Sequence, residues 1–474
     1  MRTLVWFRGK DLRVSDHEPL RNAAAKGETI PLFVLDPYFF SPDRANELPY
    51  RMQFLLDSLA ELAEALASRG STLLVVKGPS VTVVPDIARA VQVDRVLAYR
   101  WTEPFAKERD RRVAEGLGSI PLELFLGETL APPGRVLTGQ GTPFAVFTPF
   151  SRAFMKSIPV AAPVPAPRTL PPLPTLPKSV TDRLVSIPTP EDLGLTRNPQ
   201  IVSGGERAAR ARLETFLKGP GHRYEVGRDL MGQAGTSRLS QDLKFGTLSA
   251  RTVWTAANEA LATSPKASST FLGELMWREF AYDVLEHSPR VLTEPYKPTW
   301  KGFPWRNDET AWRAWVEGKT GYPVVDAASR QLLASGFVHN RARMITASFL
   351  TKHLLLDFRP GEAHFLKFLT DGDWAINDLG WQWATGSGVD AQPWFRVFNP
   401  IAQGERFDPE GAYVRTWVPE LKKVHNTWIH RPWEAPPLEL GSAGVILGKT
   451  YPRPIVDHAF GRQRFLAAAK GHLG

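Results

Sequence analysis

Ten prolines fall between Pro159 and Pro190. At that density the backbone loses too many donors, and φ is fixed too often, for a helix or a central strand, so the stretch reads as extended. It divides the chain into two halves of different texture. Before it, short apolar runs at 3–7 (TLVWF), 30–36 (IPLFVLD), 71–78 (STLLVVKG), 94–99 (DRVLAY) and 120–125 (IPLELF) alternate with helical patterns such as RMQFLLDSLAELAEALASRG at 51–70. Near-continuous apolar strands separated by amphipathic helices predict a doubly wound parallel sheet. No GxGxxG follows the first strand, so this half gives no dinucleotide-binding signal. Beyond about residue 199 the apolar spacing is helical almost throughout. The expected organisation is an α/β domain over 1–131, a linker over 132–198 and an all-α domain over 199–474.

Composition narrows the chemistry. There is no cysteine, which removes disulfides, thiol nucleophiles, zinc ribbons and iron–sulfur clusters. The ten histidines are scattered without HxxxH or HExxH spacing, so no metal site is expected. No apolar run reaches the length of a membrane span, and the opening MRTLVWFRGKDLRVSDH is too charged for a signal peptide, so the expected location is the cytoplasm and no membrane partner is expected. The net charge of +9 suits a polyanion such as DNA or RNA, although an ordinary basic enzyme has the same balance. Fifteen tryptophans exceed what a core needs. Indoles also serve base stacking and electron transfer.

Four stretches carry the functional signal. In TDGDWAINDLGWQW (370–383), read as a helix, Asp373, Asn377 and Trp381 form one stripe at i, i+4 and i+8, while Trp383 lies about 200° further round. In FLGELMWREF (271–280) Glu274, Trp277 and Arg278 share a face. FVHNRARMITASFL (337–350) leads Asn340, Arg343 and Met344 into an apolar helix, and GTSRLS (235–240) offers successive amides, hydroxyls and a guanidinium suited to a pyrophosphate. Each alone is equally explained by a capped or buried helix.

Together with EGKTGYPVVDAASRQL (317–332), FRVFNPIAQGERFDPEGAYVRTWVPEL (395–421), FTPFSRAF (147–154) and LVWFRGKDLRVSDH at the start, these stretches closely resemble the photolyase/cryptochrome family along nearly the whole chain. Within it the resemblance is strongest to class I photolyases of cyclobutane pyrimidine dimers. It implies a noncovalent FAD in the helical domain, with Thr236, Ser237, Arg238, Leu239 and Ser240 at the pyrophosphate, Tyr224 and Arg278 nearby, and Phe271 also among the cofactor-binding residues. Asn340, Arg343, Asp371 and Asp373 match positions around the isoalloxazine, and Asn377 matches the residue facing flavin N5. Trp277, Met344 and Trp383 match the groups that pack on a flipped dimer, Glu274 the acid that hydrogen-bonds it, and Asn340 and Arg341 further pocket positions. Arg228 and Gln403 match DNA contacts.

The resemblance also implies an electron-transfer chain from Trp381 to Trp305. Its middle position departs from the family: Phe358 stands where tryptophan is usual, and Trp374 is the candidate substitute. The implied activity is light-driven dimer splitting by excited reduced FAD, in a monomeric enzyme acting on DNA. A signalling cryptochrome is the alternative, disfavoured by the interrupted tryptophan chain and the short stretch after YPRPIVDHAFGRQRFL. Photolyases of the 6-4 product carry acid–base histidines where this chain has Asn340 and Met344, so that activity ranks low. A light-harvesting antenna in the α/β domain is also implied, its identity open among deazaflavin, FMN and folate; EPFAKERD (103–110) lacks the Asn-Glu pair of the folate-binding type.

Overall fold

The computed structural model describes residues 1–474. The apolar runs form five parallel strands, β1 (Arg2–Phe7), β2 (Glu28–Leu35), β3 (Leu74–Lys77), β4 (Arg95–Tyr99) and β5 (Leu122–Phe125), in the order β3-β2-β1-β4-β5. β1 is central, pairing Leu4 with Ile30 on one side and with Val96 on the other. Residues of both faces are buried: Val5, Phe7, Phe33 and Leu97 join one apolar cluster, and Leu4, Trp6, Leu32 and Val96 join another. Two-sided burial is why the strands read as continuous apolar runs rather than as alternating ones.

The chain separates into two compact units. The first is Met1–Gly219 with Ser237–Pro289; the second is Pro220–Thr236 with Arg290–Gly474. In the first unit the Pro-rich stretch lies along the sheet domain. The Leu170 amide donates to the Arg69 carbonyl at 2.7 Å and the Val185 amide to the Val75 carbonyl at 2.9 Å. The long helix Pro265–His287 belongs to this unit by its contacts.

The second unit is helical around its own core, built from Trp315, Tyr322, Leu332, Ile345, Leu350, Phe365, Trp381 and their neighbours. Asp326 is buried beneath this core, where it accepts from the Thr320 amide and hydroxyl and from the Tyr451 hydroxyl at 2.7, 2.6 and 2.7 Å. No helix of the chain is long and apolar enough to cross a membrane.

Candidate active site

In the second unit the helix Asn340–Ser348 is capped by His339, whose Nδ1 accepts from the Arg341 amide at 3.2 Å. Burial pulls the His339 ring down to about 4, so at neutral pH it is uncharged and able to accept. Arg343 donates from Nε to the Val338 carbonyl and from Nη2 to Asp371 Oδ2, both at 2.8 Å. Asn340 and Arg341 each place a nitrogen 3.8 Å from the Met344 sulfur. Arg341 is held by Asp229 at 2.6 Å and by the face of Phe407, 4.2 Å from its guanidinium carbon. The one turn therefore separates two tasks: Arg343 serves Asp371, while Asn340, Arg341 and Met344 form a cluster of their own.

The helix Trp374–Thr385 starts at Asp373, whose side chain accepts from the Ile376 amide at 3.2 Å. Asn377 Nδ2 donates to the Glu362 carbonyl at 3.1 Å, which fixes the plane of its amide. A Cβ built on Gly380, one turn on, meets nothing within 4 Å. Asp371 Oδ1 is buried with no hydrogen-bond partner. An orphaned carboxylate oxygen just before this helix and an oriented amide on it, beside a solvent-facing glycine that leaves room, fit a polar heterocycle, and an isoalloxazine is one.

Trp381 is buried, with ring centroids 5.2 Å from Phe365 and 6.0 Å from Trp315. A side chain at Gly361 would meet the Trp381 ring at 2.5 Å, so the helix Phe358–Phe368 approaches it through a glycine. Trp383 is half-buried against the same core. Phe358 is buried, and Trp305 stacks on Trp300 at 6.1 Å. Trp374 is half-buried at the start of its helix. The rings paired with Trp381 are those of Trp315 and Phe365. Tyr224 is buried under Arg228, 5.7 Å above its ring, and Gln403 is half-buried on the helix Pro400–Phe407.

Sequence reasoning missed two acids beside Asn377. Burial raises both Glu362 and Asp378, the latter to about 8, and the charge of Asp378 raises Glu362 further. In the folded protein these carboxyls keep protons that the unfolded chain releases above its ordinary carboxylate range. Stability therefore falls as pH rises from the ordinary aspartate value of 3.8 toward about 8. Asp378→Asn keeps an oxygen for the 2.9 Å bond from Gln382 Nε2. We expect the drop in melting temperature between about pH 5.5 and about pH 8.5 to shrink in this variant; an unchanged drop would place the proton elsewhere.

In the first unit Glu274 and Trp277 lie one turn apart, both half-buried, on the helix Pro265–His287. Phe147 covers one face of Trp277, with ring centroids 3.8 Å apart and planes within 8°. A Cβ on Gly273 meets nothing within 4 Å, so there is open space on this stretch of helix. Arg278 is buried with its guanidinium carbon 4.6 Å from the Tyr282 ring centre. Next to it, Glu279 is pushed up to about 7 by burial although the Leu130 amide donates to it at 2.9 Å. Phe271 packs on Phe216 at 4.8 Å. In the Ser237–Ser240 turn Arg238 has φ +53°, a left-handed conformation uncommon outside glycine. Its carbonyl accepts from the Gln241 side-chain Nε2, and Ser240 opens the helix Ser240–Phe245.

Strand order reverses beside β1, and the crevice outside the carboxyl ends of β1 and β4 is where open α/β sheets bind ligands. Here Arg8 and Arg109 lie over the rings of both Trp6 and Trp101, at 4.7 to 5.3 Å. Trp101 Nε1 and Arg8 Nη2 are buried without hydrogen-bond partners. A cleft of about 350 Å³ alongside is lined by Arg100, Trp101, Lys107, Asp110, Arg111 and Leu124, among others.

Fold and residues together describe a flavoprotein, and comparison with known proteins says which kind. Residues 271–471 match the family model of the FAD binding domain of DNA photolyase, and residues 3–169 match that of DNA photolyase. The chain belongs to the DNA photolyase family and carries its FAD-binding domain. It is 40% identical over 473 residues, 98% of this chain and 97% of the relative, to a deoxyribodipyrimidine photo-lyase of Agrobacterium fabrum. A deoxyribodipyrimidine photo-lyase of Thermus thermophilus is 42% identical over 417 residues, 88% of this chain and 92% of its own. Among solved structures, a bacterial class III photolyase from Agrobacterium tumefaciens superposes with a TM-score of 0.90 at 39% identity, covering 100% of this chain and 98% of that one. A Synechocystis cryptochrome gives 0.90 at 32%, covering 98% and 99%. An archaeal photolyase from Sulfolobus tokodaii with two FAD molecules gives 0.82 at 30%, covering 99% and 100%.

Proposed function

We propose that this protein splits cyclobutane pyrimidine dimers in DNA under blue light, using FAD. The observation that carries this reading over 6-4 repair is the cluster of Asn340 and Arg341 around the Met344 sulfur, each at 3.8 Å. These groups pack and hydrogen-bond, but none is a proton donor tuned near neutrality, which 6-4 chemistry requires. The likeness to a cryptochrome makes signalling the second reading.

In the second unit Arg343, Asp371, Asp373 and Asn377 are assigned to the flavin ring, with Tyr224 and Thr236 further along the cofactor. In the first unit the Ser237–Ser240 turn and Arg278 are assigned to its phosphates. When bound and reduced, FAD supplies the electron that opens the dimer's ring and takes it back. The residues do the rest. Arg343 donates to Asp371 and fixes the orientation of its carboxyl, and Asn377 keeps its amide in one plane through the Glu362 carbonyl. Met344 and Trp383 in the second unit, and Trp277 in the first, offer apolar faces to an extruded lesion. Photolyases are among the enzymes that take their target base out of the stack, and a damaged base costs less to extrude. Glu274 is assigned to stabilise charge on it, and the net charge of +9 supplies backbone affinity without sequence preference. The residues around Trp6 and Trp101 at the sheet's switch point are assigned to an antenna. The organisation proposed is thus an antenna domain over 1–131 and a FAD- and DNA-binding domain over 199–474.

The reading is tested by binding of the purified, flavin-loaded protein to matched duplexes with and without one thymine dimer. Preference for the damaged duplex supports it; equal affinity would favour signalling. Within this reading Phe147 is the residue that orients Trp277. Phe147→Ala removes a stack worth about 0.5–1.5 kcal/mol beyond burial. We expect about fivefold weaker binding of the damaged duplex, FAD content unchanged, and recovery in Phe147→Tyr. Unchanged binding in Phe147→Ala would mean that Trp277 orients itself.

A further inference from the structure

The electron route that the family's pattern would draw from Trp381 is cut at Phe358, because a phenyl ring is far harder to oxidise than an indole. The structure offers another. Trp315 lies edge-on to Trp381 with ring centroids 6.0 Å apart, and Trp312 stacks on Trp315 at 5.5 Å with planes within 26°. All three belong to the second unit. Trp381 is 3% and Trp315 0% exposed, while Trp312 is only partly buried. The row thus runs from two enclosed indoles to a third that solvent reaches.

The placement is built. Trp312 and Trp315 are at i, i+3 on the helix Glu309–Val316, so they share a face. Trp315 is locked by a 3.2 Å hydrogen bond from its Nε1 to the Thr346 carbonyl, and Gly361 lets its helix close on Trp381. His364 stands edge-on to both outer indoles, 6.0 Å from Trp312 and 5.8 Å from Trp315. Burial pulls that ring down to about 4, so at neutral pH it adds no positive charge beside an oxidised indole.

We propose that Trp381, Trp315 and Trp312 form the electron relay of this protein, with Trp312 as its solvent terminus in place of the Phe358-interrupted path to Trp305. The inference rests on the flavoprotein reading above. The oxidant is the light-excited oxidised flavin, which gains one electron from Trp381. Trp315 then returns one electron to Trp381, and Trp312 one to Trp315. A dissolved thiol returns one electron to Trp312 and is itself oxidised, losing its proton to water. Each indole ends as it began; the cofactor is reduced by one electron and one thiol is oxidised.

The test is light-driven reduction of the oxidised holoprotein in the presence of a thiol, with the lifetime of the tryptophan radical followed by transient absorption. Because Trp312 is partly exposed, Trp312→Phe is the main variant, with flavin content and melting temperature as folding controls. We expect about tenfold slower photoreduction and a shortened radical lifetime in Trp312→Phe, and the same in Trp315→Phe. Trp312→Tyr, still oxidisable, should recover part of the rate, and Trp305→Phe should cost less than about twofold. Unchanged rate and radical lifetime in Trp312→Phe, or a loss confined to Trp305→Phe, would overturn the relay. Dimer repair by chemically reduced protein bypasses the relay, so its absence would count against the functional reading and not against this one.

Discussion

Asp371→Ala is expected to leave the purified protein largely without FAD. The carboxylate does two things at once: Oδ2 holds Arg343 at 2.8 Å, and Oδ1 is buried with no partner in the chain. Its side chain is 5% exposed against 26% for Arg343, so removal strands a guanidinium that water only partly reaches. A hydrogen bond involving a charged group contributes about 1.5–3 kcal/mol, which is roughly ten- to hundredfold in affinity. Flavin absorbance per chain after gel filtration, followed by FAD titration, reads the effect. Asp371→Asn keeps the shape and loses the charge, and an intermediate affinity is expected. Full flavin retention in Asp371→Ala, with the fold intact by circular dichroism, would remove Asp371 from the cofactor site.

Glu274→Ala is expected to separate chemistry from binding. Glu274 is half-buried one turn before Trp277 on a helix whose other side is firmly packed. A pre-placed polar group that stabilises charge developing on substrate is worth about 10²-fold in rate, and more where water is excluded. We therefore expect repair per absorbed photon to fall roughly ten- to hundredfold, with FAD content and affinity for damaged duplex close to those of the parent. Loss of flavin instead would move Glu274 from the lesion to the cofactor.

Much of this was legible without coordinates, for reasons that can be stated. The strands were readable because a sheet buried on both faces leaves uninterrupted apolar runs, and the structure starts and ends each within a few residues of its run. The stripe of Asp373, Asn377 and Trp381 was readable because helical spacing fixes which side chains share a face. Asp373 proved to be the cap as well, accepting from the Ile376 amide. What periodicity does not carry is contact between distant segments. Phe147 and Trp277 lie far apart in sequence and meet face to face. The pairing of Trp312 with Trp315 was open to helical spacing, but the approach of Trp315 to Trp381 was not. Trp374 looked a fair substitute for the missing indole at Phe358, yet it opens its helix about two turns from Trp381. The raised carboxyls of Glu362 and Asp378 were also invisible, since burial and not residue type moves them.

The central claim is tested most directly by exposing a thymine-dimer oligonucleotide to the purified, chemically reduced, FAD-loaded protein under blue light and in darkness. Loss of the dimer with recovery of the two thymines, in light only, is the predicted result. An intact dimer after illumination, with FAD present and the duplex bound, would contradict the account and leave the signalling reading in its place.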